Sequence, residues 1–173
     1  RMRSRYAEYS RQLERAVSPR SDSLTLYINI MFGLSAMREP DWKRAGECLA
    51  LASKAAERLN TGRRYEEAMH SLGLSQFFQG ELQGMCDTYE RARDVCLSRR
   101  DKLMIAKLTA GVCVPLLAFG RHNEAFEMLE PLISSLEEAR EAQTSNFANC
   151  CGLLAMSHLR MGQKEMARDR AET

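Results

Sequence analysis

The stretch SLGLSQFFQGELQGMCDTYERARD, Ser71 to Asp94, decides how the rest of the chain is read. It is amphipathic, yet Gly73 and Gly80 interrupt it, and Phe77 and Phe78 stand side by side. Three readings compete: a catalytic loop, a ligand pocket, or one unit of a repeat. Aligning the whole chain on Gly80 favours the repeat. Helix-breaking residues recur at Pro40, Gly80, Gly120 and Gly162, at spacings of 40, 40 and 42 residues.

Around each breaker the same columns reappear. Five residues after it stand Ala45, Met85, Ala125 and Ala167, and four further on Leu49, Tyr89, Leu129 and Ala171. Three beyond the first three of these come Ala52, Ala92 and Leu132. The i, i+4, i+7 spacing places each set on one face of a helix. Before each breaker a large residue precedes a small one: Phe32-Gly33, Leu72-Gly73, Val112-Cys113 and Leu154-Ala155. A small residue there lets two helix backbones approach closely, so each unit reads as a tight antiparallel helix pair. In the opening stretch, Gly73 permits that approach, Gly80 makes the turn, and Tyr89 with Ala92 packs the second helix back.

Composition agrees with an all-α chain. The 173 residues, 45% of them hydrophobic, suffice for a sizeable core, and only 4 Pro and 10 Gly interrupt them. The net charge of +2 arises from interspersed signs, which describes a solvated surface rather than a nucleic-acid-binding stripe. Only the first twenty residues are locally basic, with Arg1, Arg3, Arg5, Arg11, Arg15 and Arg20 against Glu8 and Glu14. Cys48, Cys86, Cys96, Cys113, Cys150 and Cys151 lie in apolar helical patterns without a C-x-x-C pair, as buried free thiols do. A reducing, intracellular location, cytoplasmic or nuclear, is expected. No apolar run is long enough to span a bilayer, so no membrane partner is expected.

The columns resemble the tetratricopeptide repeat (TPR) family. LGLSQFFQGELQGMCDTYERA matches its pattern at Leu72, Gly73, Gly80, Tyr89 and Ala92, with Met85 in place of the first Ala. AFGRHNEAFEMLEPL matches at Gly120, Ala125 and Leu129, and RMGQKEMARDRA at Gly162 and Ala167. The period exceeds the family's usual 34 residues, which predicts helices of about 17 residues. The family's first-helix aromatic is replaced by Ala36, Gln76, Leu116 and His158. The resemblance implies an all-α fold, a right-handed superhelical array of antiparallel helix pairs, or α-solenoid.

Eight helices are predicted, together with the start of a ninth. The first, over 2–17, is the second half of a truncated repeat occupying 1–20. The next runs from Asp22 to Arg38, and Asp41 caps a helix ending near Leu59, before Asn60-Thr61-Gly62. The remaining helices span 63–79, 81–98, 102–119, 121–140 and 144–161, with a remnant from 163. Complete repeats fall at 21–62, 63–100 and 101–141, and an incomplete one at 142–173. Both ends read as cut from a longer array, which also raises self-association through exposed repeat ends. Pro115 and Pro131 are expected to bend their helices.

No catalytic constellation emerges, and the chain is expected not to be an enzyme. G-x-S-x-G, H-E-x-x-H and a phosphate-binding glycine loop are all missing from the sequence. His70, His122 and His158 are far apart in sequence; His158 falls in a core column and His122 is expected at the surface. Glu66-Glu67 and Glu137-Glu138 are adjacent and diverge on a helix, as solvated residues do. No cofactor or metal is implied; Cys150 and Cys151 point about 100° apart, unsuited to one tetrahedral ion.

The TPR resemblance implies that the first helix of each pair lines a concave surface and identifies its positions. They are Tyr27, Ile30, Leu34, Met37 and Arg38, then Glu67, His70, Leu74, Phe77 and Phe78. The third repeat contributes Lys107, Ala110, Val114, Leu117 and Ala118, and the fourth Asn149, Gly152, Met156, Leu159 and Arg160. The polar clamp that the family's chaperone-binding members use for a C-terminal carboxylate is not reproduced. A stripe of Leu, Met, Phe and Val suits a helical or extended segment of another protein, or of the parent chain itself, with Phe77 and Phe78 as anchors. The alternative is a regulatory segment of a larger signalling protein, because turns such as FFQGEL and AFGRHNEA resemble repeats that follow the ATPase modules of some nucleotide cyclases and transcription activators.

Overall fold

A computed structural model describes residues 22–138 and 145–172. The helix expected over 2–17 lies outside the described residues. What is described is helical throughout: α1 Asp22–Arg38, α2 Trp42–Arg58, α3 Gly62–Gln79, α4 Leu82–Arg99, α5 Lys102–Ala118, α6 His122–Glu138, α7 Ser145–Arg160 and α8 Lys164–Ala171. The chain divides into two compact units, Arg1–Gly80 and Glu81–Thr173.

The helix ends show why the breakers recur. Gly80, Gly120 and Gly162 adopt φ of 77°, 77° and 80°, the left-handed region in which a Cβ is strained. One backbone hydrogen bond returns at turn after turn, from an N–H to the carbonyl five residues earlier. Asp41 N donates to Ala36 O at 2.9 Å, Thr61 N to Ala56 O at 3.1 Å, Arg121 N to Leu116 O at 2.9 Å and Gln163 N to His158 O at 2.9 Å. This bond satisfies a carbonyl that the end of the helix would otherwise leave without a partner. Asn60 (φ 52°) and Arg100 (φ 58°) also take the left-handed conformation, and neither is a glycine. At the other ends, Asp41 and Asp101 accept hydrogen bonds from Arg44 N (3.2 Å) and Met104 N (3.1 Å), capping α2 and α5. Pro115 and Pro131 lie inside α5 and α6, which continue past them.

In the first unit, α2 turns Ala45, Leu49, Ala52 and Ala56 inward, all fully buried. Leu49 presses onto Gly33 of α1 so closely that a Cβ there would sit 2.5 Å from its Cγ. The small residue seven positions before the turn is thus what allows α1 and α2 to meet. Met37 and Leu72 pack against the cluster of Ala36, Ala45 and Leu49, tying α3 into the same core. Across the outside, Arg58 of α2 donates to Asp22 of α1 at 2.9 and 2.5 Å. Glu66, expected at the surface, is buried. One residue shifts the side chain by about 100°, and this carries Glu66 to the inward face with Tyr65 and Met69 while Glu67 stays half-exposed.

In the second unit, the corresponding small position is Cys113, whose Sγ approaches Ala125 O at 3.8 Å, so a column before the turn meets one after it. Cys150 of α7 makes the like contact to Ala106 O of α5 at 3.7 Å. Tyr89 of α4 lays its ring on Gly111 of α5, a contact with the following helix that the alignment of columns does not register. In α6 the buried residues after Leu129 are Ile133 and Leu136, and Leu132, the expected member of the column, is only half-buried. Both neighbours are apolar, so composition does not distinguish which of them faces inward. Ala171 is exposed, although Ala167 in the same helix is buried. Arg170 pins α8 onto α6 through Glu130 (3.2 Å) and Glu137 (3.4 Å).

Candidate functional site

The expected partner-binding positions lie on α1 and α3 in the first unit and on α5 and α7 in the second. None is fully buried. On α1, Tyr27, Leu34 and Arg38 are exposed, and Ile30 and Met37 are half-buried, Met37 being partly engaged by the core. On α3, Phe77 and Phe78 are exposed and Glu67, His70 and Leu74 half-buried. On α5, Lys107, Val114 and Leu117 are half-buried; on α7, Met156, Leu159 and Arg160 are exposed.

Several of these residues come together in the first unit. The Arg64 guanidinium lies 5.5 Å from the centroid of the Tyr27 ring. The same guanidinium binds Glu67 at 2.7 Å, and Arg63 reaches the other oxygen of Glu67 at 3.5 Å. At the far end of α3, Phe77 and Phe78 meet edge to face, with ring centroids 5.4 Å apart. Phe78 also stacks on Trp42 of α2 at 4.2 Å and 16°. Phe78 is therefore one half of an aromatic pair that bridges α2 and α3, while keeping 53% of its surface exposed.

Periodicity alone would have extended the α1 stripe further than the family positions did. Leu24 and Met31 lie three residues before and four after Tyr27, on the same face, and both are exposed. The exposed apolar residues of α1 thus run Leu24, Tyr27, Met31, Leu34. On α3 the residues 40 positions later are Arg64, Glu67, Ser71 and Leu74, so the neighbouring stripe begins charged and ends apolar.

The histidines and thiols are placed by the core. His158 is buried, with Nδ1 2.7 Å from Gln163 Oε1 and its ring edge-on to Phe126 at 5.3 Å. His122, expected at the surface, is half-buried. Burial pushes the Cys113 and Cys150 thiols up to about 12, and burial together with Glu90 raises Cys86 to about 11. At neutral pH such thiols are protonated and poor nucleophiles. Among the described residues, no cluster of three or more His, Cys, Asp or Glu is arranged to hold a metal, and no helix is long and apolar enough to cross a membrane.

Comparison with solved structures places the fold. Nearly identical TPR-like repeats from Podosopora anserina superpose with a TM-score of 0.77 over 99% of this chain and 89% of theirs, at 16% identity. A single-substitution form of the same repeats gives 0.79. The chain has a TPR-like fold. BtubC (BKLC) from P. vanneervenii superposes with a TM-score of 0.72 over 98% of this TPR-like chain and 69% of its own, at 14% identity. At these identities the likeness concerns the fold alone. No protein-family model matches the sequence, and no curated protein matches it.

Proposed function

We propose that this TPR-like chain is a protein-interaction scaffold, without catalytic activity of its own, that takes up a helical or extended protein segment on the surface of its first helices. One observation carries the reading: among the described residues of the first unit, the large apolar residues that are exposed are Leu24, Tyr27, Met31, Leu34, Leu51, Phe77 and Phe78, and all but Leu51 lie on α1 or α3. Apolar exposure concentrated on one kind of helix differs from the scattered single residues of an ordinary surface. Phe77 and Phe78, rigid and half-exposed, have the character of anchor residues.

The test begins with the chain as bait and identification of the captured segment, which is then synthesised and titrated. Replacing Phe77 and Phe78 with Ala is expected to weaken that titration at least about tenfold, or about 1.4 kcal/mol, while far-UV circular dichroism stays unchanged. Undiminished affinity would remove both residues from the binding surface. Loss of helicity would assign them to the core instead.

A further inference from the structure

We infer that Met31 is an oxidation site, and that its conversion to the sulfoxide switches off the apolar face of α1. This rests on the scaffold reading above and adds a means of regulating the same surface.

Few of the chain's sulfurs are open to an oxidant. Five of the six cysteines are buried and Cys48 is half-buried. Burial raises the Cys113, Cys150 and Cys151 thiols, and at Cys86 the Glu90 carboxylate adds to the effect of burial. The thiolates that normally intercept a peroxide are therefore scarce in this protein. A thioether has no proton to lose, so exposure governs how readily an oxidant meets it. Met69 and Met85 are buried, whereas Met31, Met156 and Met166 are exposed. Met31, at 61%, is the most exposed large apolar residue among those described.

Met31 also stands where a change of polarity matters most. Tyr27 lies one turn before it and Leu34 one turn after it on the same exposed face of α1. A sulfur lone pair attacks one oxygen of hydrogen peroxide, and the S–O bond forms as the O–O bond breaks. The hydroxide released takes the proton left on the transferred oxygen and departs as water. Sulfur loses two electrons and the peroxide gains them. The product replaces a flexible apolar group with a polar one in the middle of the stripe. A protein segment lying over it would have to strip water from the new oxygen, which opposes docking. Methionine sulfoxide reductases, drawing electrons from a dithiol, reverse the step.

The experiment uses the full chain carrying Met156→Leu and Met166→Leu, which leaves Met31 as the exposed thioether among the described residues. Under hydrogen peroxide, peptide mass spectrometry is expected to show Met31 gaining one oxygen at least about tenfold faster than Met69 or Met85. The fluorescence of anilinonaphthalene sulfonate, a dye that reports exposed apolar surface, should fall over the same time course while far-UV circular dichroism stays unchanged. It should recover with dithiothreitol and the two sulfoxide reductases, one for each epimer. Adding Met31→Leu should make the fluorescence indifferent to peroxide, and Met31→Gln should lower it without peroxide. Oxidation of Met31 no faster than that of Met69 and Met85 would overturn the site. Oxidation that leaves the fluorescence unchanged, or that raises it with loss of helicity, would overturn the switch. Neither measurement involves a partner segment, so the scaffold reading stands or falls separately, on the Phe77 and Phe78 titration.

Discussion

Replacing Gly111 with Ala should destabilise this protein, even though the same change at an exposed helical glycine should stabilise it. A Cβ at position 111 would lie 2.5, 2.6 and 2.7 Å from Cε1, Cδ1 and Cζ of Tyr89. Ordinary contact begins near 3.4 Å, so the ring must retreat by about 0.9 Å or α4 must move away from α5. Tyr89 is 1% exposed and has no solvent to retreat into. Overpacking of this kind costs about 1–3 kcal/mol, against about 1 kcal/mol gained from alanine's helix propensity. The net expectation is a loss of up to about 2 kcal/mol. Gly152, also inside a helix, has nothing within 4 Å of its would-be Cβ, so Gly152→Ala should gain about 0.5–1 kcal/mol. Guanidinium titrations followed by circular dichroism at 222 nm would compare the midpoints. In a Tyr89→Leu background the penalty at position 111 should shrink, because the ring that collides with the new methyl group is gone. If Gly111→Ala proves as stabilising as Gly152→Ala, the ring does not occupy that space and the account of how α4 meets α5 fails.

Two further outcomes follow from the helix ends and the core. Arg100 is exposed and held at φ 58°, where an L residue loses about 1–2 kcal/mol relative to glycine; Arg100→Gly should therefore raise the unfolding midpoint by the equivalent of about 1 kcal/mol, and an unchanged or lower midpoint would contradict the left-handed turn. Thiol labelling with iodoacetamide at pH 8, read by peptide mass spectrometry, should modify the half-buried Cys48 first and leave Cys113 and Cys150 unlabelled until denaturant is added, since burial keeps both protonated; early labelling of either would show that the second unit is not packed as described.

The 40-residue recurrence in the sequence located the turns and, with them, the helices. Helix limits read from capping residues and breakers fall within one or two residues of those observed, because a left-handed glycine or an Asp cap acts on the backbone within a few bonds. The inward columns Ala45, Leu49, Ala52 and Ala125, Leu129 were equally legible, since helical period alone brings such residues to one face. The exposed stripe on α1 is partly legible: the family register reaches Tyr27 and Leu34, and helical period alone reaches Leu24 and Met31.

Tertiary packing decided what periodicity leaves degenerate. Leu132 and Ile133 are both apolar and adjacent, and only the fit between neighbouring helices in the second unit turns Ile133 inward. Glu66 and Glu67 are identical in type, and only their packing separates a buried carboxylate from one gripped by two arginines. Phe78 and Trp42 are 36 residues apart, and Tyr89 and Gly111 are 22 apart. No local pattern connects either pair, because helix period constrains direction around one axis and says nothing about which side chain of another helix fills the facing space. Local residue spacing therefore sets where this chain turns and which face of each helix is apolar; the choice of mates across those faces belongs to tertiary packing, where close contact admits one side chain to each space.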